Sequence, residues 1–584
     1  MEFEIPESKK KKIKQKLNFI YNENIGSELY NKLETLIVDF MKKNPELNQD
    51  FDKRLSEKDC VMICYGDHIK SDGEKPLKSL KDFCDQFIED IVSTIHILPF
   101  SPYSSDDGFS VIDYKKVNSE LGSWEDIKAL RENFTLMFDA VINHISSESE
   151  WFTKYKKQQG KYKNYFIEAD PEEDFSKVTR PRAKPLLTEV ETVEGKKHVW
   201  TTFSPDQIDL NFKEPELLLA IIDILLFYAA QGAEIIRLDA IAFLWKELGT
   251  KCIHLEETHK IIQLIKEIFK IAAPKTLILT ETNVPHEENI SYFGKNEAET
   301  DMVYNFSLPP LVLYSFVEKD AQKLSSWAAS LEDLKEGNYY FNFLASHDGI
   351  GLRPVEGILE KEEIQRLLSV IKDRGGHVSY KTNSDGSKSP YELNISYLDA
   401  IRDQSKNIEI QVKSFIASQA IMLEMQGLPA IYLHSLLGSK NYEEGIEKTG
   451  KNRTINRKKL DKEKLINELR NENSFRAKVF NKYKKLLKLR KKHTAFSPDS
   501  NQNIIELDKR IFALTRNSGE EELLLLNNIT EEKIKLKINK DIFENVDFDQ
   551  LRDLIEGKVY EMDSNKVNLE LDAFQVLWLK TEEV

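Results

Sequence analysis

From Cys60 onward, short apolar runs alternate with longer amphipathic segments, the signature of repeated βα units. Eight runs read as strands: Cys60–Tyr65, Thr94–Leu98, Thr135–Val141, Ala233–Leu238, Thr276–Thr280, Met302–Asn305, Tyr340–Leu344 and Ala430–Leu433. Between most of them the apolar period becomes helical, most clearly in Lys81–Ile91, Leu217–Ala230, Leu255–Ile271 and Ile408–Met425. Eight parallel strands with helical crossovers close into a (β/α)8 TIM barrel, an α/β fold whose active site lies at the C-terminal ends of its strands.

At 584 residues the chain exceeds the size at which one core stops growing, so a barrel with smaller appended units is expected. Residues 1–58 read as a charged, helical N-terminal extension and 59–497 as the barrel. The spacing breaks once, between the third and fourth strands, where 146–211 is far longer than a crossover needs and reads as an inserted subdomain overhanging the barrel mouth. After about Ser497 short alternating runs take over, one pair joined by Asn517-Ser518-Gly519, so 498–584 is predicted to be a β-sandwich.

Composition narrows the function. With 83 Lys+Arg against 98 Asp+Glu the net charge is -15, which repels polyanions and argues against a nucleic-acid partner. The start of the chain has no apolar stretch suited to a signal peptide, and the Leu217–Ala230 run is short for a membrane span and interrupted by Asp223, so a cytoplasmic protein with no membrane partner is expected. The basic run Lys9–Lys16 reads as a solvated helix face. Cys60, Cys64, Cys84 and Cys252 lack metal-ligand spacing and read as buried free thiols.

The strand ends carry the chemistry. In Arg237-Leu238-Asp239 the period of two turns Arg237 and Asp239 to one side, where the guanidinium is expected to keep the aspartate ionised, as a nucleophile must be. The fifth strand runs into Glu281-Thr282-Asn283 and the seventh into Ser346-His347-Asp348, so three carboxylates converge on one rim. A retaining glycosidase needs a nucleophile and a general acid/base about 5–5.5 Å apart. A third carboxylate would hold sugar hydroxyls and stabilise an oxocarbenium-like transition state. Any one such acid is more simply a helix cap or a solvated loop residue; three together, beside Arg237 and His347, favour catalysis.

Four stretches, Asp139-Ala140-Val141-Ile142-Asn143-His144, Arg237-Leu238-Asp239-Ala240, Glu281-Thr282-Asn283 and Ser346-His347-Asp348, resemble in order and spacing the four sequence regions of the α-amylase superfamily. The resemblance implies that Asp239 is the nucleophile, Glu281 the acid/base and Asp348 the transition-state stabiliser, with His144, Arg237 and His347 lining a glucosyl subsite. Within the superfamily, Leu98–Tyr114 is similar to the second-strand loop of the sucrose phosphorylase group, where an acid, here Asp106, meets the glucose hydroxyls. Its Ser-Ser-Asp-Asp-Gly-Phe-Ser version resembles the subgroup that includes glucosylglycerate phosphorylase, as do Thr179-Arg180-Pro181-Arg182, Trp200–Ser204, Glu281–Asn289 and Asn452–Arg457. By the same likeness Arg453 completes the glucosyl site. Asn143 stands where many α-amylases hold calcium, but the sucrose phosphorylase group does without metal, so no metal and no cofactor is implied, with inorganic phosphate as co-substrate. Trp124, Trp151 and Trp200 read as packing residues, and His254 and His259 as structural ones.

A phosphorylase must admit a dianion rather than water to the glucosyl-enzyme, which needs fixed cations near the leaving-group subsite. Arg180, Arg182 and Lys184 form a local basic cluster, and likeness to the phosphorylase segment assigns Arg182, with Arg180, to phosphate or to the carboxylate of glycerate; a surface salt-bridge cluster is the plainer alternative. A second candidate is the polar loop Ser379–Asn394, with Tyr380, Lys381 and Tyr391. The implied reaction is reversible phosphorolysis of 2-O-α-glucosyl-D-glycerate to α-glucose 1-phosphate and D-glycerate. Three alternatives stay open: phosphorolysis of sucrose or sucrose 6-phosphate, an α-glucosidase, and an inactive barrel acting as a binding module. The implied partners are small molecules, and a homodimer is left open.

Overall fold

The computed structural model describes residues 4–49, 55–182, 184–295, 298–383, 387–544 and 548–582. All eight expected strands form, as β1 (Val61–Cys64), β2 (Thr94–Ile97), β3 (Thr135–Ala140), β4 (Ala233–Leu238), β5 (Leu277–Thr280), β6 (Met302–Tyr304), β7 (Tyr339–Phe343) and β8 (Leu428–Tyr432). They pair in parallel and in sequence, and β8 returns to β1 to close the barrel. Strand residues are buried on both faces, as a sheet wrapped by helices requires.

The helices follow the predicted periodicity with one shift. The first crossover runs over Pro76–Phe87 rather than Lys81–Ile91, because Pro76 starts the helix early and the chain must leave it by Ile88 to reach β2. The Leu217–Ala230 run lies in a helix, Pro215–Ala230, packed on the barrel, and among the described residues no helix is long and apolar enough to cross a membrane. At the N-terminus α1 (Glu7–Tyr21) and α2 (Glu23–Lys43) pack on each other and on helix Glu256–Ala272. The basic run of α1 is therefore not wholly solvated: Lys9 pairs with Glu267 at 3.0 Å and Lys16 is buried. All four cysteines are buried and unpaired.

The long segment between β3 and β4 leaves and returns side by side, because His144–Ser146 pairs antiparallel with Gln207–Asp209. Within it lie helix Glu150–Lys156 and the hairpin Leu187–Thr192/Gly195–Trp200. The expected polar loop after β7 is instead a hairpin, His377–Thr382 against Lys388–Asn394, in which backbone pairing outweighs the polar composition. At the C-terminus a six-stranded antiparallel sheet and a two-stranded one share a core that includes Ile511, Leu524, Ile534, Leu569 and Leu577. This unit is bound to the barrel through Glu424, at the end of helix Ile408–Glu424, which accepts from Trp578 Nε1 at 2.6 Å and from Asn527.

Candidate active site

The site grows from one register match. Asp139 on β3 is level with Arg237 on β4, so both side chains enter the barrel at the same height. Arg237, 2 % exposed, donates from Nη1 to Asp139 and to Asp239 Oδ1 at 2.7 Å, and from Nε to Tyr304 Oη at 3.1 Å. The other oxygen of Asp139 lies 2.7 Å from His96 Nε2. After Asp239 the chain turns sharply: Ala240 is left-handed, with φ 49°, and its N–H donates to Glu281 Oε2 at 3.0 Å. The strand-end turn thus aims a backbone donor from β4 at the carboxylate of β5.

Burial and charge separate the three acids. Burial pushes Glu281 up to about 7; Arg237 opposes this, while Asp239 and Asp348 reinforce it. Burial also raises Asp239, and here Arg237 and His144 offset the penalty without overcoming it. Arg237 is visible from the strand alternation, whereas the desolvation that outweighs it arises only from the folded surroundings. Asp348 also pays a desolvation penalty, although its side chain is the most exposed of the three, and Arg453, His347, Arg457 and Arg237 hold it well below the usual carboxylate range. Its Oδ1 is 2.5 Å from Arg453 Nη1. His347 is pushed down to about 3 by burial, and its neutral ring stacks on Phe109 with centroids 4.6 Å apart.

These groups line one pocket at the barrel mouth. Asp106, His144, Arg182, Asp239, Glu281, His347, Asp348 and Arg453, all expected there, share its wall with Phe109, Phe203, Gln207, Ala240, Asn283 and Tyr391. Arg237 lies directly beneath. The loop residue Asp106 would be raised by burial but is held below its ordinary value by Arg453, Arg457 and Arg182.

Arg180 is not brought to this pocket. Its guanidinium folds back onto the carbonyl of Lys184, and Lys184 itself is exposed, so only Arg182 of the basic cluster faces the site. Among the described residues Arg182 makes no close ion pair, although it is near enough to lower Asp106; its guanidinium lies 5.9 Å from the ring centre of Tyr391. Of the hairpin residues singled out in sequence, Tyr391 lines the pocket, Lys381 pairs with Glu356 at 3.1 Å, and Tyr380 is exposed. Trp124, Trp151 and Trp200 pack away from the pocket, and His254 and His259 bond Tyr292 and Glu299.

Three contributors escaped the sequence reading. Gln207 lies 3.1 Å from His144 Nε2 and donates to Phe109 O at 3.0 Å. Glu392, fully buried on the hairpin, accepts from Arg453 Nε at 3.0 Å and Nη2 at 2.7 Å. Arg457 donates to His347 O at 2.8 Å. The alternation within Tyr391-Glu392-Leu393 would turn Glu392 to solvent, whereas the strand is buried on both faces there. At Asn143, where calcium was considered, Lys246 Nζ lies 3.1 Å from Asn143 Oδ1 and 2.8 Å from Asp209 Oδ2, so an ammonium already occupies those oxygens.

The model of the alpha amylase catalytic domain matches residues 86–371. The chain is 45% identical over 97% of its length to a glucosylglycerate phosphorylase of Spirochaeta thermophila, covering 98% of that protein. It is 43% identical over 98% of its length to a glucosylglycerate phosphorylase of Escherichia coli, covering all of it. Among solved structures, the sucrose 6F-phosphate phosphorylase of Thermoanaerobacter thermosaccharolyticum superposes with a TM-score of 0.71 at 25% identity, over 82% of this chain and 95% of that one. The chain belongs to the α-amylase superfamily, in the group that holds the glucosylglycerate phosphorylases.

Proposed function

We propose that the protein is a retaining glycoside phosphorylase that interconverts 2-O-α-glucosyl-D-glycerate and phosphate with α-glucose 1-phosphate and D-glycerate. The observation that carries this reading is the near full-length identity to glucosylglycerate phosphorylases together with an intact set of three rim carboxylates.

The residues divide the work by their charge. Asp239, fixed by Arg237, attacks the anomeric carbon while Glu281 delivers its proton to the departing glycerate oxygen. Asp348, kept anionic by Arg453, faces the positive charge that develops on the ring. A phosphate oxygen then attacks the glucosyl ester from the vacated side, its proton passes to Glu281, and Asp239 is released as carboxylate. Arg182 is the cation offered to the phosphate and, in the reverse direction, to the carboxylate of glycerate. Asp106, His144, His347 and Arg453 hold the glucosyl ring.

An anionic acceptor gains charge-assisted hydrogen bonds at Arg182, worth about 1.5–3 kcal/mol, that a neutral sugar does not. Fructose 6-phosphate would gain the same bonds, so the near full-length identity to glucosylglycerate phosphorylases separates the two, and phosphate release from α-glucose 1-phosphate is expected to be fastest with D-glycerate in a panel that includes fructose and fructose 6-phosphate. Preference for fructose or its phosphate would overturn the acceptor and leave the retaining mechanism standing; turnover without phosphate would favour an α-glucosidase.

A further inference from the structure

Asp106 reaches the pocket from an unusual piece of backbone. Asp106, Asp107 and Gly108 are left-handed in succession, with φ of 54°, 51° and 111°. Gly108 must be glycine, since a Cβ would lie 2.7 Å from Pro99 O. The two aspartates carry the steric cost that L-residues pay in this region, although Asp tolerates it better than most. A turn of this kind persists only where its surroundings over-determine it.

Arg457 supplies that constraint. Its guanidinium, 5 % exposed, donates from Nη1 to Asp107 Oδ2 at 2.5 Å and from Nε to His347 O at 2.8 Å, and its Nη2 stands 3.8 Å from Asp348 Oδ1. Tyr65 faces the guanidinium, with its ring centre 5.8 Å away. The preceding Asn456 donates from Nδ2 to Ser346 O and Asp348 O, both at 3.0 Å. One buried cation therefore ties the loop after β2 to the end of β7, and so ties Asp106 to Asp348 in the wall of the glucosyl subsite. Asp107 itself does not line the pocket.

We infer that the Asp107–Arg457 ion pair is a positioning clamp that sets the glucosyl subsite, so that Asp107 governs donor affinity without touching the donor. The inference rests on the glucosyl reading of the pocket but not on the identity of the acceptor. Asp107→Asn is the sharpest test, because asparagine keeps the tolerance for left-handed backbone and the size of the side chain while removing the charge. The variant is expected to weaken D-glucose binding, measured calorimetrically, and to raise KM for α-glucosyl fluoride by about tenfold, the size of one lost charge-assisted hydrogen bond. Saturated turnover and the thermal midpoint should stay near wild type. Arg457→Lys, which keeps the charge but cannot grip Asp107 and His347 O in one fork, should show the same KM-weighted loss, and the double variant should lose less than the sum. Unchanged glucose affinity in Asp107→Asn would overturn the clamp, as would a parallel fall in turnover and thermal midpoint, which would mark a general structural role. A wild-type protein that turned over no α-glucosyl donor would instead overturn the underlying reading of the site, and the clamp with it.

Discussion

The backbone N–H of Ala240 donates to Glu281 Oε2 at 3.0 Å, so the residue that follows Asp239 holds the carboxylate on the neighbouring strand. Covalent connection on one strand and a hydrogen bond to the next keep the two carboxylates in a fixed relation, which a double displacement requires. Replacing Asp239 by Asn leaves this scaffold and removes the nucleophile. Turnover of every donor should fall by far more than the roughly hundredfold that a single stabilising contact can contribute. Steady-state rates with α-glucose 1-phosphate and with α-glucosyl fluoride test this, and a loss below that level would place the nucleophile elsewhere.

Glu281 titrates near 7 because it is buried beside two other acids, and its protonated form is the one that can act as acid. Cleavage of the glucosyl glycoside should therefore decline as pH rises through about 7. Glu281→Gln should stall glycoside cleavage while α-glucosyl fluoride, whose leaving group needs little protonation, still glucosylates the enzyme. A burst measurement with both donors separates the cases; equal loss on both would count against the role.

Arg182 faces the pocket without a close ion pair among the described residues, whereas Arg180 is turned back on its own loop. Arg182→Ala should raise the phosphate requirement by about tenfold or more and expose slow hydrolysis, since the lost interaction is of the charge-assisted kind. Arg180→Ala should leave the phosphate response near wild type. Phosphate titrations of the two variants, with glucose and α-glucose 1-phosphate both quantified, decide the assignment, and the reverse ranking would move phosphate recognition to Arg180.

Glu424 joins the barrel to the C-terminal sheets, and burial pushes it up to about 7. An acid whose folded value lies above its ordinary value of 4.5 contributes stability that is complete below pH 4.5 and lost as pH rises through 7, here roughly 3 kcal/mol. Glu424→Gln keeps an acceptor for Trp578 Nε1, and its amide donor can replace the bond from Asn527 Nδ2 once the Asn527 amide flips to present Oδ1. The variant should be more stable than wild type above pH 7, with a flatter profile between pH 4.5 and 7. Urea midpoints across that range would show parallel curves if Glu424 were not responsible.

The eight strands, the C-terminal sheets and the three rim carboxylates were legible in the sequence because each follows from local rules. Apolar period marks βα units, alternation puts Arg237 and Asp239 on one side, and a barrel presents its strand ends together. What the sequence could not hold is the company each side chain keeps. Arg180 and Arg182 are two residues apart and look equivalent, yet backbone direction sends one to the pocket and the other to Lys184. Glu392 enters the site from a segment whose polar composition suggested a loop and Arg457 from one that carried only a likeness, and only folding sets them against Arg453 and His347. The protonation order of the acids was decided in the same way: alternation indicated that Arg237 would favour an ionised Asp239, but desolvation, a property of the whole surrounding volume, raises both Asp239 and Glu281 while Arg453 keeps Asp348 low. Neighbours along the chain determine conformation; neighbours across the barrel determine charge.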